Sequence, residues 1–256
     1  MKNEINLAFI LAKREQESKY KGSMLGVLWL ILNPVLLLTL YTFIFQYVFS
    51  AKWQIDGNPT NYTVALFCGL TPFFFITELI SKGTDLISGN SNLVKKVVFN
   101  KVVLPLSSVM SSTLMLTINI TLILISSIIF NDHFSFVSLL LYLYVIPLVI
   151  IGFSICTMCS CVGVYFRDFS NLVAFINPVL MFTSPIFFSL ETIPESFSSV
   201  VLFNPLTYLI EGIRSVVIGD FFDIYNYLTI LIVGIICALF SIYFFNKLKE
   251  DFSDLV

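Results

Sequence analysis

Six long stretches of this chain contain no Asp, Glu, Lys, Arg or His. Thirty residues separate Lys21 from Lys52, 21 separate Asp56 from Glu78, and 30 separate Lys101 from Asp132. A further 33 lie between His133 and Arg167, 22 between Asp168 and Glu191, and 23 between Asp223 and Lys247. A helix needs about 20 apolar residues to cross the hydrocarbon core of a bilayer, and each stretch supplies them. The apolar runs are continuous rather than alternating, which excludes barrel strands. The expected fold class is an all-α membrane protein whose single domain, 1–256, has six transmembrane helices. The spans are expected at about 25–49, 62–80, 103–130, 136–166, 172–188 and 224–245. A seventh apolar stretch, 196–210, is shorter and is interrupted by Asn204-Pro205. It reads as a short re-entrant segment within an external region, 189–222. Composition agrees, because only 12% of residues are charged, against about 25% in soluble domains.

With six spans, both termini share one side. That side carries every Lys and Arg except Lys52 and Arg214. Basic residues concentrate on the cytoplasmic side of inner-membrane proteins, so both termini are expected in the cytoplasm of a bacterium, with the chain multi-pass in its inner membrane. Kinks are expected at Pro34, Pro72, Pro178 and Pro185. Residues 1–21 place their charges after a short apolar stretch, unlike a cleavable signal peptide. Ile5, Leu7, Phe9, Ile10 and Leu11 precede Lys13, Arg14, Glu15, Glu17, Lys19 and Lys21. Segment 4–21 thus reads either as an interfacial helix in the headgroup plane or as a charged flank that only fixes topology. The most polar internal stretch, 82–101, holds turn-formers at 88–92. Leu93, Val94 and Val97 then oppose Lys95 and Lys96, the pattern of a short helix able to touch another protein. The tail, 246–256, reads as polar. Residues 32–36 and 176–180 share an Asn-Pro core, too short an echo to establish a duplication.

Several chemistries are missing. There is no Gly-Lys dipeptide and hence no P-loop, and no His-Glu-x-x-His zinc motif. Cys68, Cys156, Cys159, Cys161 and Cys237 all fall in expected spans, where they read as small packing groups rather than metal ligands. His133, the only histidine, reads as a solvated loop residue. Ion-coupled carriers place acidic or basic groups at membrane depth, and the six stretches have none. No catalytic, metal-binding or cofactor-binding residue is expected, and no nucleic-acid partner. Any energy source must then lie elsewhere, which fits a cytoplasmic partner.

Four stretches resemble a known family. Lys19-Tyr20-Lys21-Gly22-Ser23-Met24-Leu25-Gly26-Val27-Leu28-Trp29 leads into Leu32-Asn33-Pro34. Asn92-Leu93-Val94-Lys95-Lys96-Val97-Val98-Phe99 is followed by Leu104-Pro105-Leu106-Ser107. Tyr165-Phe166-Arg167-Asp168 comes next, and then Ser184-Pro185-Ile186-Phe187, Ile193-Pro194-Glu195 and Asn204-Pro205-Leu206. In this order they are similar to the membrane (permease) subunits of type-2 ABC transporters that export cell-surface polysaccharide, the O-antigen and teichoic-acid exporters. Asn100 departs from the pattern, since relatives often carry proline there. The resemblance implies a homodimer embedded in membrane lipids, with two nucleotide-binding ATPase subunits that hold the ATP and magnesium, and a lipid-linked polysaccharide as cargo. Contacts to the ATPase are then expected from Lys13 and Arg14 and from Ser88, Asn90, Leu93, Val94, Lys95 and Lys96, with Arg167 bracing them. Sugars stack on aromatic rings, so Trp29, Tyr41, Phe45, Phe73, Phe74, Phe75, Phe182 and Phe187 are candidates for the glycan path, with lipid-facing or packing roles as the alternative. Rival readings are an exporter of teichoic acid, capsule or a small hydrophobic molecule, and a membrane glycosyltransferase. The acidic residues are scattered over both sides, which disfavours the last.

Overall fold

The computed structural model describes residues 2–50, 53–55, 58–97, 99–131, 135–166 and 168–255. Helix α1 (Lys2–Tyr20) ends at a turn where Gly22 has φ +87°, a conformation that favours glycine. The first span begins with a 3-10 turn, Gly26–Leu28, continues as α2 (Trp29–Thr42), and closes with a π-helical turn, Phe43–Val48. Pro34 lies inside α2 without interrupting it. A hairpin follows, β1 (Trp53–Ile55) against β2 (Asn58–Thr60), with Trp53 opposite Thr60. This hairpin is a small addition to an otherwise all-helical fold. Three-residue strands are too short to show a period in the sequence.

Helix α3 (Tyr62–Asp85) starts where the Asn61 side chain accepts a hydrogen bond from the Thr63 amide. It is the centre of the bundle, packed by α5, α6, α7 and α9, and most of its residues are buried. A 3-10 turn, Ser88–Asn90, and helix α4 (Ser91–Lys96) lead to α5 (Val103–Asn131). The next span opens with a nine-residue 3-10 stretch, Phe136–Tyr144, and continues as α6 (Val145–Tyr165). Such a long 3-10 run is uncommon, and it is packed against α9. Helices α3 and α6 meet almost backbone to backbone. A β-carbon on Gly163 would lie 1.9 Å from the Thr84 carbonyl oxygen, and one on Gly83 would lie 2.6 Å from Cβ of Cys159. Small residues at helical spacing let membrane helices approach this closely, and Cys156 and Cys159 serve that seam.

The expected fifth span, 172–188, overlaps a helix with other bounds. Helix α7 (Phe169–Thr183) has 15 residues, about 22 Å at 1.5 Å per residue, which falls short of a bilayer core. Ser184-Pro185 ends it. After a 3-10 turn, α8 (Glu195–Phe203) and α9 (Pro205–Val217) meet at 93°, a broken span or a re-entrant loop. Asn204 caps α9 by accepting from the Leu206 amide, and Pro205 occupies its first position, where it lacks no hydrogen bond. Helix α10 (Ile224–Leu248), capped by Asp223, is the last span. Among the described residues, five helices are long and apolar enough to cross a membrane, six at most with the bent pair. The chain is a multi-pass membrane protein.

The tail is not simply polar. Phe252, in α11 (Phe252–Leu255), is fully buried and meets the Phe245 ring edge-on at 5.2 Å. Lys101 donates to the Lys249 carbonyl at 2.7 Å. A second, smaller core forms there from Ile87, Val94, Leu104, Cys161, Val164, Phe245 and Phe252.

Candidate functional site

Polar residues gather at the end of the bundle where α1 reaches α3. Lys19 meets Glu78 at 2.6 Å, and Lys82 meets Glu78 at 3.0 Å and Glu15 at 2.6 Å. Lys82 also donates to the Ser112 hydroxyl at 2.7 Å. Gln16 donates to the carbonyl and hydroxyl oxygens of Ser111, at 2.6 and 2.9 Å. Ala8 and Ala12, buried one helical turn apart, let α1 lie close along α5. Helix α1 is thus docked on the bundle, with Ile5, Phe9 and Ile10 left outward. The Lys13–Glu17 pair at 3.9 Å is exposed and contributes little.

Two clefts flank this ionic network. One, about 570 Å³, lies between α1, α2, α3, α5 and α7. Its walls include Asn33 and Asn177, so the two Asn-Pro echoes of the sequence face one space. Burial pushes the Tyr20 phenol up, so it borders the cleft as a neutral donor. The other, about 560 Å³, is lined by Arg14, Asn90 and Leu93 among others. The two segments that the sequence offers as ATPase contacts therefore adjoin. Within the second segment, Ser88 and Asn90 bond back to the carbonyls of Asp85 and Leu86. Lys95 and Lys96 are exposed and Leu93 is half-buried. Val94 is 4% exposed and packs into the smaller core. Of the apolar residues of α4 expected to meet the ATPase, Val94 is thus the one turned inward, which holds this six-residue helix in place. Arg167 and His133 lie outside the described residues.

The aromatic candidates divide. Phe45 stacks on Phe187 with centroids 4.4 Å apart, Tyr41 lies 5.8 Å from Phe187, and Phe182 lies 6.3 Å from it. Four of the eight thus join the first span to the segment after α7. Phe73 and Phe75 are buried in the main core, and Phe74, half-buried, lines the first cleft. Trp29 donates to the Ser23 hydroxyl at 2.9 Å.

One buried charge was missed. Arg214 is 1% exposed, not an external loop residue. It donates to the carbonyls of Ala65 at 3.2 Å and Ile186 at 3.1 Å, and pairs with Glu211 at 2.7 Å. The Trp53 ring covers it, with the guanidinium carbon 4.2 Å from the centroid. It ties α3, α9, the turn after α7 and the hairpin together. Among the described residues, no three His, Cys, Asp or Glu side chains converge as a metal site would need.

Comparison with known proteins places this architecture. A model of the family described as ABC-2 type transporter matches residues 6–218. The chain belongs to the ABC-2 type transporter family. An O-antigen export system permease protein of Klebsiella pneumoniae is 31% identical to this ABC-2 chain, over 98% of the chain and 95% of that relative. Its counterpart in Myxococcus xanthus is 27% identical, over 82% and 79%. A polysialic acid transport protein of Escherichia coli is also 27% identical, over 81% and 80%. The family match spans α1 to α9, so both clefts and Arg214 fall inside it.

Proposed function

We propose that this ABC-2 chain is the non-catalytic permease subunit of an exporter that moves a lipid-linked polysaccharide of O-antigen type from the cytoplasmic to the external face of the inner membrane. The observation that carries this reading is the match, along 98% of the chain, to a protein named as an O-antigen export permease. The chain holds no P-loop, so ATP binding and hydrolysis belong to two separate ATPase subunits. The Lys and Arg distribution supports a cytoplasmic position for both termini, α1, α4 and α11. There α1 and α4 border one cleft, which gives an ATPase subunit a joint surface of Arg14, Asn90, Leu93, Lys95 and Lys96. The outward Ile5, Phe9 and Ile10 suit a helix that rests in the headgroup layer. Two copies meet along α2 and α7, and the Tyr41, Phe45, Phe182 and Phe187 rings offer a passing glycan repeated, similar contacts.

A second reading, export of an acidic polysaccharide, is favoured by the relative named for polysialic acid. One deletion experiment addresses both. Loss of the gene should remove one surface glycan and leave its lipid-linked precursor inside the cell, and the chemistry of that glycan separates the two readings. An unchanged surface and no accumulated precursor would reject both.

A further inference from the structure

Three amide side chains in the cleft between α1, α2, α3, α5 and α7 have an unused acceptor. Gln16 Oε1, Asn119 Oδ1 and Asn177 Oδ1 are each buried without a hydrogen-bond partner, and all three residues line this one cleft. Asn119 is 7% exposed and sits in the middle of α5. The amide nitrogen of Gln16 is taken by Ser111, and that of Asn177 donates to Ser81 at 3.1 Å, so their oxygens are left over. Buried polar atoms in native proteins are almost always paired, and orphans from three separate helices around one space call for a missing partner. Asn33, exposed on α2, adds a fourth amide at the rim.

Charge narrows the choice of partner. The only charged residues on the cleft wall are Lys19 and Glu78, and they hold each other at 2.6 Å. Lys82 behind them is shared by two glutamates. The network thus has two ammonium and two carboxylate groups, with no positive charge left over for a phosphate. The lining also includes the apolar and aromatic Leu37, Phe74, Phe75 and Met115. Amide oxygens that accept, amide nitrogens that donate and apolar side chains match a sugar ring, which offers hydroxyls at its edge and C–H groups on its face.

We propose that this cleft binds uncharged sugar units of the exported glycan, through the amides of Gln16, Asn119 and Asn177. The proposal rests on the export function above and names where that cargo is recognised. It assigns the site to the sugar and not to the diphosphate of the lipid carrier.

The test uses the chain with its ATPase subunit in lipid nanodiscs. Asn33→Cys is the reporter, in a Cys237→Ala background, the other four native cysteines being buried or half-buried. The lipid-linked glycan isolated from the deletion strain should shield Asn33→Cys from a membrane-impermeant thiol reagent. The same lipid diphosphate without sugar should not. Adding Asn119→Leu or Asn177→Leu should raise the half-protecting glycan concentration about tenfold, the equivalent of about 1.4 kcal/mol. Equal shielding by the sugar-free lipid, or shielding unaffected by the leucine variants, overturns the proposal. Folding supplies a second reading. Asn119→Leu removes an unpaired buried group, so its thermal midpoint should stay level or rise. A lower midpoint would mean that Asn119 is bonded within the protein, and would also overturn the proposal. The deletion strain keeps the two readings apart. If deletion spares every surface glycan, the export reading fails. If deletion removes a glycan but the leucine variants restore its export as well as the wild type does, only the cleft assignment fails.

Discussion

A guanidinium surrounded by apolar helices is costly unless acceptors and an opposite charge compensate it. Arg214 directs three of its five N–H groups at two carbonyls and one carboxylate, and its face lies on the Trp53 ring. Gly69 leaves the room, because a β-carbon there would stand 3.1 Å from Nη2 of Arg214. Arg214→Leu should therefore lower stability by about 3 kcal/mol, the low end for breaking a buried pair, since Glu211 is a third exposed and can rehydrate. Arg214→Lys should recover little of this, because a compact ammonium cannot reach in three directions. Trp53→Leu should cost less, about 0.5–2 kcal/mol. Thermal unfolding of the detergent-solubilised protein measures all three, and an Arg214→Lys midpoint equal to wild type would refute the account. The burial of Arg214 was readable in part. Leu206, Leu209, Ile210, Ile213 and Val217 recur at helical spacing, and Arg214 lies one turn after Ile210 on that face. Its partners were not readable, because two are main-chain carbonyls 28 and 149 residues away.

At the scale of elements, the sequence showed length well and punctuation poorly. The expected 103–130 and 136–166 differ by one residue from the observed ends, because uninterrupted apolar runs leave little freedom. The Asn-Pro dipeptide illustrates the limit. At Asn204-Pro205 it starts a new helix at 93°, whereas at Asn33-Pro34 and Asn177-Pro178 the helix runs on. At the break the Asn204 side chain stabilises the new helix start, accepting from the Leu206 amide and donating to the Ser184 hydroxyl. For α4, the periodicity gave a short helix but not which apolar residue faces inward. With Val94 committed to the smaller core, Leu93 is the apolar residue left for the ATPase subunit. Leu93→Asp should weaken co-purification of that subunit about tenfold or more, since burying a leucine contributes about 1.5–3 kcal/mol, and should stop export while insertion stays normal. Normal export at normal expression would move the contact to α1. Val94→Asp should instead reduce the amount of folded protein.

At the scale of the molecule, one side is incomplete. A polar cleft between α2 and α7 cannot stay open to hydrocarbon, where unpaired polar groups are costly. The large side chains of α10 are equally bare but line neither of the clefts described above. On the proposed function, the face formed by α2 and α7 is the one offered to a second copy, and α10 the one offered to lipid. Val179→Cys on α7 should form a disulfide-linked dimer in oxidised membranes, whereas Leu239→Cys on α10 should not, as resolved by non-reducing electrophoresis. The reverse result would exchange the two faces. The backbone contact at Gly163 adds a mechanical consequence. A layer of side chains can absorb a push by changing rotamers, but a carbonyl set against an α-carbon has nothing to rearrange. Helices α3 and α6 thus form a stiff mast. A displacement entering at Asn90, which donates to the Leu86 carbonyl just beyond α3, would pass along that mast to its far end, where Arg214 grips the Ala65 carbonyl.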